Sequence, residues 1–308
     1  MITPANLDFY KPKNTFLHIG QKEQNIMKRI LLTGATGFVG RQVLNSLKRK
    51  GVSVSVTLRP GQDVPQGTKP IWTPNLFSES KVFWEKNCTD HHGVIHTAWF
   101  TEPGEYLNAP DNLDCLSGTV KLFQGAKAAG ISHFQGIGTC LEYDITTKEV
   151  RDRKPIASNA PIKPTNPYAA AKIATYLSLC HQANEMGFAW SRIFYLYGEG
   201  EDPRRLVPYI NRQLSAGLPV NLTSGRQWRD FLDVKVAGDQ IADVSLNGLI
   251  GPLNICSGNA ITVAKLAEKI AQQYDREDLI KLGSIEDRLG EPPYLVGVPS
   301  LRNTNETA

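Results

Sequence analysis

Tyr168 and Lys172 stand four positions apart at the start of a segment that reads as a helix, so both project from one face toward a common point. A tyrosine is normally too weak an acid to exchange protons near neutral pH, but an adjacent ammonium favours the phenolate and lowers its pKa. Such a pair can protonate a ketone oxygen. Thr139, which follows an apolar run, can donate a hydrogen bond to the same oxygen and fix its position. Plainer readings exist: a Tyr-x-x-x-Lys pair on a solvated helix face, a turn-forming hydroxyl at Thr139, and, at the neighbouring Cys140, a small buried apolar residue.

Reducing a ketone also needs a hydride source, and the sequence offers a place for one. Thr33-Gly34-Ala35-Thr36-Gly37-Phe38-Val39-Gly40 lies where an apolar strand turns into a helix. Glycines there permit a tight turn and close backbone approach, and the helix N-terminus presents unpaired amides and a positive dipole to a pyrophosphate. Gly34, Thr36, Gly37, Phe38, Val39 and Gly40 are the expected cofactor contacts. A carboxylate at the end of the second strand would grasp the adenosine ribose, but Arg59 stands there, followed by Pro60 and Gly61. An arginine can pair with a 2′-phosphate, which favours NADP(H) over NAD(H). A solvated strand-end arginine is the alternative.

These residues need a scaffold. Ile30, Leu31 and Leu32 precede the glycines; Phe38, Val43, Leu44 and Leu47 then recur at helical spacing, and Val52, Val54 and Val56 alternate. The pattern continues with a short strand near Ile71, a strand over 93–97, a helix over 113–129 and a strand over 133–137. A polar, Pro-rich stretch over 144–165 leads to a helix opening at Pro167 and capped by Asn166, and a sixth strand covers 189–194. Repeated βα units predict an α/β fold, a doubly wound parallel Rossmann sheet with right-handed crossovers. Past Gly198 the pattern loosens into helices over 203–216 and 233–246, a strand over 220–222 and a helix carrying Val263, Leu266 and Ile270. The expected division is a polar leader over 1–26 with Met27 an alternative start, a dinucleotide-binding domain with the catalytic residues over 27–198, and a smaller, discontinuous α/β substrate lobe over 199–308.

Composition narrows the function. The formal charge is +4, with 34 basic residues scattered among 30 acidic ones, which argues against a nucleic-acid partner. Five cysteines without a Cys-x-x-Cys pair suggest neither disulfides nor a metal site and fit a reducing cytoplasm. No apolar run approaches membrane-spanning length.

Two further segments complete the set: Val94-Ile95-His96-Thr97-Ala98-Trp99 and Arg192-Ile193-Phe194-Tyr195-Leu196-Tyr197-Gly198. With the glycine loop and Tyr168-Ala169-Ala170-Ala171-Lys172, they resemble the extended short-chain dehydrogenases/reductases acting on nucleotide sugars, the NAD-dependent epimerase/dehydratase type, over residues 28–298. The resemblance implies cofactor contacts at Ala98 and Phe194 and substrate contacts at Trp99 and Tyr195. It also implies diphosphate ligands at Arg229, within Gln227-Trp228-Arg229-Asp230-Phe231-Leu232, and at Arg288, within Asp287-Arg288-Leu289-Gly290-Glu291-Pro292. Exposed ion pairs are the alternative for both, and Arg204 and Arg205 are weaker candidates.

Departures from the pattern sharpen this. Dehydratases of this type carry Asp-Glu where Cys140 and Leu141 stand, which argues against dehydration; Tyr195 and Cys115 replace asparagines common in C4-epimerases. The favoured expectation is NADP(H)-dependent reduction of a nucleotide-linked 4-keto-6-deoxy sugar, making a deoxysugar donor for surface polysaccharide such as O-antigen. Hydride comes from the nicotinamide, Tyr168 gives the proton, Lys172 holds the nicotinamide ribose, and Thr139 polarises the oxygen. A C4-epimerase with tightly bound NAD would use the same residues with no net redox change. A non-catalytic dinucleotide sensor would need none of Thr139, Tyr168 and Lys172. A homodimer is expected, built from the helices over 113–129 and 168–186.

Overall fold

The computed structural model describes residues 29–301, so the leader expected over 1–26 lies outside the described residues. The chain runs β1 (Arg29–Thr33), α1 (Phe38–Arg49), β2 (Ser53–Leu58), β3 (Thr68–Trp72), α2 (Lys81–Cys88), β4 (Gly93–His96), α3 (Asp111–Ala128) and β5 (His133–Thr139). It continues with α4 (Lys148–Arg151), α5 (Pro167–Cys180), β6 (Gly187–Ile193), β7 (Tyr195–Tyr197), α6 (Leu206–Ser215), β8 (Val220–Asn221) and β9 (Trp228–Asp233). The last elements are α7 (Val234–Leu246), β10 (Gly251–Ile255), β11 (Ala260–Thr262), α8 (Val263–Gln272), β12 (Ile280–Lys281) and β13 (Tyr294–Leu295).

Seven strands form one parallel sheet in the order β3-β2-β1-β4-β5-β6-β10. Successive side chains on a strand face opposite sides, so β1 sends Ile30 and Leu32 into a core with Val43 and Leu47 of α1 and Ile241 and Val244 of α7. Leu31 enters the opposite core with Trp84 of α2, Phe123 of α3, Phe134 of β5 and Leu179 of α5. Both faces are therefore covered, which is why β1 reads as a continuous apolar run. The doubly wound parallel fold expected from the sequence is the fold observed.

The smaller lobe centres on β9, which pairs with β7 and β13 in parallel and with β11 antiparallel. Ile210 and Leu214 of α6 pack there against Ala267 and Ile270 of α8. One correction concerns the boundary at 198/199: α7 packs on α1, and β10 joins the large sheet beside β6. The apolar residues of α7 and β10 fill the core under α1, so residues 234–255 return to the large sheet. Helix α2 was not anticipated, because its eight residues keep only Trp84 and Cys88 inside.

Candidate active site

At the C-terminal edge of the sheet, β1 turns into α1 at the point where β2 and β4 diverge to either side of β1, the crevice in which such folds bind ligands. Gly34 has φ +71°, and a Cβ on it would lie 2.7 Å from the Ala98 backbone nitrogen. A Cβ on Gly40 would lie 2.1 Å from the Gly34 carbonyl oxygen. The turn closes only because these positions carry no side chain. Gly37 caps α1 with no side-chain hydrogen bond to its first-turn amides, and Thr36 and Gly37 are exposed. Uncapped amides at a helix N-terminus beside a side-chain-free turn suit the pyrophosphate of a dinucleotide. Phe38 and Val39 are half-buried at the start of α1. Arg59 is exposed just past β2, its backbone N–H donating to Gln62 Oε1 at 2.8 Å, and its guanidinium forms no ion pair among the described residues.

Behind the turn, His96 is buried and both ring nitrogens are engaged, Nδ1 with Thr33 Oγ1 at 2.7 Å and Nε2 with Thr119 Oγ1 at 2.9 Å. Burial lowers its pKa to about 3, so the imidazole stays neutral and braces the ends of β1 and β4. Ala98 and Trp99 follow directly.

Helix α5 begins as expected, with Asn166 Oδ1 accepting the Ala169 N–H at 2.9 Å and Pro167 at the first position. Its first turns carry Tyr168 and Lys172, both buried. Trp99 lies between them: Lys172 Nζ sits 3.7 Å from the centre of its ring, and the Trp99 and Tyr168 rings meet edge to face at 6.4 Å. Trp99 is itself held, its Nε1 donating to Asn112 Oδ1 at 2.8 Å. Lys172 Nζ donates to the Ile137 carbonyl at 2.7 Å. Burial lowers the Lys172 pKa to about 7.

The Tyr168 hydroxyl shows the reverse of the expected shift. Burial, then Tyr106, push its pKa up. The physical reason is burial of the phenol: Lys172 Nζ, which donates to the strand carbonyl and sits over the Trp99 ring, also lies 5.8 Å from the centre of the Tyr168 ring, and desolvation still dominates. Tyr106, which the sequence did not single out, stacks edge to face on Tyr168 at 4.9 Å and in turn carries the Arg205 guanidinium at 5.2 Å. Arg204 pairs with Glu102 at 2.7 Å, joining the segments that follow β4 and β7.

Thr139 ends β5 and is buried. Its Oγ1 accepts the Leu141 N–H at 3.3 Å and also interacts with the neighbouring Cys140 thiol, while its own amide donates to Glu142 Oε1 at 2.9 Å. Cys140 is buried with its thiol pushed up to about 12 by burial, an inert core residue. Glu142 and Arg192, which pair at 2.6 Å beneath this turn, were also missed. A charged residue inside the largely apolar β6 was the signal, since a buried charge requires a partner.

The remaining candidates divide. Tyr195 lies under the Arg229 guanidinium at 5.2 Å. Arg229 is buried and committed, donating to the Pro292 carbonyl at 2.7 Å and to Glu291 Oε1 at 2.8 Å. Arg288 is exposed. The two arginines expected to act as a pair thus sit in different settings. The Phe194 side chain packs in the core with Tyr143, Cys256 and Tyr294, so any cofactor contact falls to its backbone. Among the described residues no His/Cys/Asp/Glu cluster could hold a metal ion, and no helix is long and apolar enough to cross a membrane.

The site and the sheet order define a dinucleotide-binding enzyme fold, and the sequence profile of the NAD dependent epimerase/dehydratase family matches residues 30–239. The chain belongs to that family. A dTDP-6-deoxy-L-talose 4-dehydrogenase (NAD(+)) from Aggregatibacter actinomycetemcomitans is 24% identical over 257 residues, 80% of this chain and 90% of that protein. A CDP-abequose synthase from Salmonella muenchen is 22% identical over 274 residues, 86% of this chain and 87% of that protein. The crystal structure of Thermus thermophilus UDP-glucose 4-epimerase in complex with NAD superimposes with a TM-score of 0.73 at 23% identity, covering 88% of this chain and 90% of that one.

Proposed function

We propose that this protein is a sugar-nucleotide oxidoreductase that reduces the 4-keto group of a nucleotide-linked 4-keto-6-deoxy sugar, using NADP(H) in preference to NAD(H). The observation that carries the reading is the meeting of Tyr168, Lys172 and Trp99 beside the glycine turn, with Thr139 at the end of the neighbouring strand β5. Relatives named for chemistry at position 4 of a dTDP-linked 6-deoxy sugar and for CDP-abequose synthesis support the substrate class. Cys140 and Leu141, in place of an acid pair after Thr139, favour simple reduction over dehydration.

A dinucleotide held through its pyrophosphate at the glycine turn would supply the hydride from its nicotinamide. The chain's own residues do the rest. Burial keeps Tyr168 protonated, which is the form needed to hand a proton to the developing alkoxide. Thr139 donates to the same oxygen and fixes the carbonyl's direction. Lys172 orients the ribose of the cofactor, and the Trp99 ring walls the site against water. Arg288 meets the sugar-nucleotide diphosphate, while Arg229, tied to Glu291 and Pro292, holds the segment that carries Arg288. The exposed Arg59 is suited to a 2′-phosphate.

The test mixes purified protein with NADPH or NADH and a panel of dTDP-, GDP- and CDP-linked 4-keto-6-deoxy sugars, following nicotinamide absorbance. Stoichiometric NADPH oxidation that disappears in Tyr168→Phe supports the proposal. No oxidation with any donor, combined with interconversion of 4-hydroxy sugars without added cofactor, would make the protein a C4-epimerase instead.

A further inference from the structure

Beneath the turn that carries Thr139 lies a buried ion pair that the chemistry above does not use. Glu142 is fully buried and Arg192 nearly so, and Arg192 Nε donates to Glu142 Oε2 at 2.6 Å. Arg192 comes from β6 and Glu142 from the single turn of 3-10 helix after β5. The other carboxylate oxygen, Glu142 Oε1, accepts the Thr139 amide at 2.9 Å and the Trp190 indole N–H at 3.1 Å. Gly138 leaves room for this, since a Cβ there would lie 2.6 Å from Oε1 and 2.3 Å from the indole nitrogen.

The far end of Arg192 extends the network. Its Nη1 donates to the Ser158 carbonyl at 2.9 Å and to the Tyr143 hydroxyl at 3.3 Å. Tyr143 donates to Asn254 Oδ1 at 2.5 Å, and Asn254 Nδ2 donates to the carbonyls of Ile156 at 2.8 Å and Val298 at 3.2 Å. Thr139's own amide is thereby linked to the Pro-rich segment and to the chain near Val298.

Stability alone is a poor explanation for such a pair. Replacing a buried ion pair by apolar residues of similar size is often neutral or stabilising, because desolvating two charges offsets their attraction. What an apolar pair cannot supply is an acceptor for the Thr139 N–H. We propose that Glu142, held by Arg192, is the positioning residue for Thr139: its carboxylate anchors the Thr139 amide and so aims the Thr139 hydroxyl. This rests on the hydride-transfer reading for its effect on rate, but not for the anchoring itself.

Two double variants separate anchoring from stability. Glu142→Gln with Arg192→Met removes both charges but keeps a carbonyl acceptor for Thr139. Glu142→Leu with Arg192→Leu removes the acceptor as well. If the leucine pair does not fold, Glu142→Met with Arg192→Met makes the same comparison with more adaptable side chains.

The apolar pair is expected to lower kcat on the order of 100-fold with the cofactor KM unchanged, the usual effect of misplacing a catalytic group by about 1 Å. The Gln/Met pair is expected to recover to within about tenfold of wild type, since the amide acceptor restores the position. In a Thr139→Ala background the apolar pair should cost nothing further. Equal kcat in the two doubles, or a fully additive loss on Thr139→Ala, overturns the proposal. If wild-type protein turns over no sugar nucleotide, the hydride-transfer reading fails by itself, and amide hydrogen exchange over 138–143 decides the anchor. Faster exchange in the apolar pair but not in Gln/Met upholds it, and equal exchange overturns it.

Discussion

Replacing Lys172 by Met should change how stability depends on pH, and the size of the change follows from burial. Lys172 is 3% exposed, and its pKa falls from 10.5 to about 7. Between those values the unfolded chain binds a proton that the folded chain does not, so stability rises with pH through that window. Below about pH 7 both states are protonated and the burial penalty is fully present. Between pH 7 and pH 9, one such proton changes stability by at most about 1.4 kcal/mol per pH unit, which gives a gain of about 2 kcal/mol for the wild type. Lys172→Met keeps a long apolar stem against Trp99 and cannot titrate. Urea unfolding at pH 7, 8 and 9 should therefore show the wild type gaining about 2 kcal/mol on the variant over this range. Parallel pH profiles would mean that Lys172 is not held in a desolvated setting and would remove the physical basis for its role beside Tyr168.

Other perturbations are as direct. Gly40→Ala forces a Cβ to 2.1 Å from the Gly34 carbonyl, and the resulting overpacking should cost about 1–3 kcal/mol in thermal unfolding and weaken NADPH binding measured by fluorescence titration. Arg59→Ala should weaken NADPH binding by about tenfold, as expected for one charge-assisted bond, and leave NADH binding unchanged; equal losses for both would remove Arg59 from cofactor selection. His96→Gln should flatten the loss of stability as pH falls from 6.5 toward about 3, because the wild-type imidazole resists protonation when folded but accepts a proton when unfolded.

How much of this was legible in the sequence depends on whether a residue acts locally. The glycine turn, the Asn166 cap and the helical spacing of Tyr168 and Lys172 are short-range patterns, and the structure keeps each of them. The parallel sheet followed from repeated βα units, but the return of α7 and β10 to that sheet did not, since a helix and strand carry no mark of which sheet they will join. Trp99 was named, yet its place between Tyr168 and Lys172 depends on Asn112 and on the path of the segment after β4. Arg229 read as a diphosphate ligand, and its burial was not legible, because the Glu291 and Pro292 groups that engage it lie 62 and 63 positions away. The direction of the Tyr168 shift was misread because helical spacing brings Lys172 near, 5.8 Å from the centre of the Tyr168 ring, but carries no mark of how deeply the phenol is buried, and burial dominates.

The most direct test of hydride transfer to a sugar carbon uses NADPH deuterated at the transferable position, with mass spectrometry of the sugar-nucleotide product. One deuterium retained on the sugar ring, absent with Tyr168→Phe, is the expected result. A product that forms without taking up deuterium, or no product from any 4-keto-6-deoxy sugar nucleotide, would contradict it.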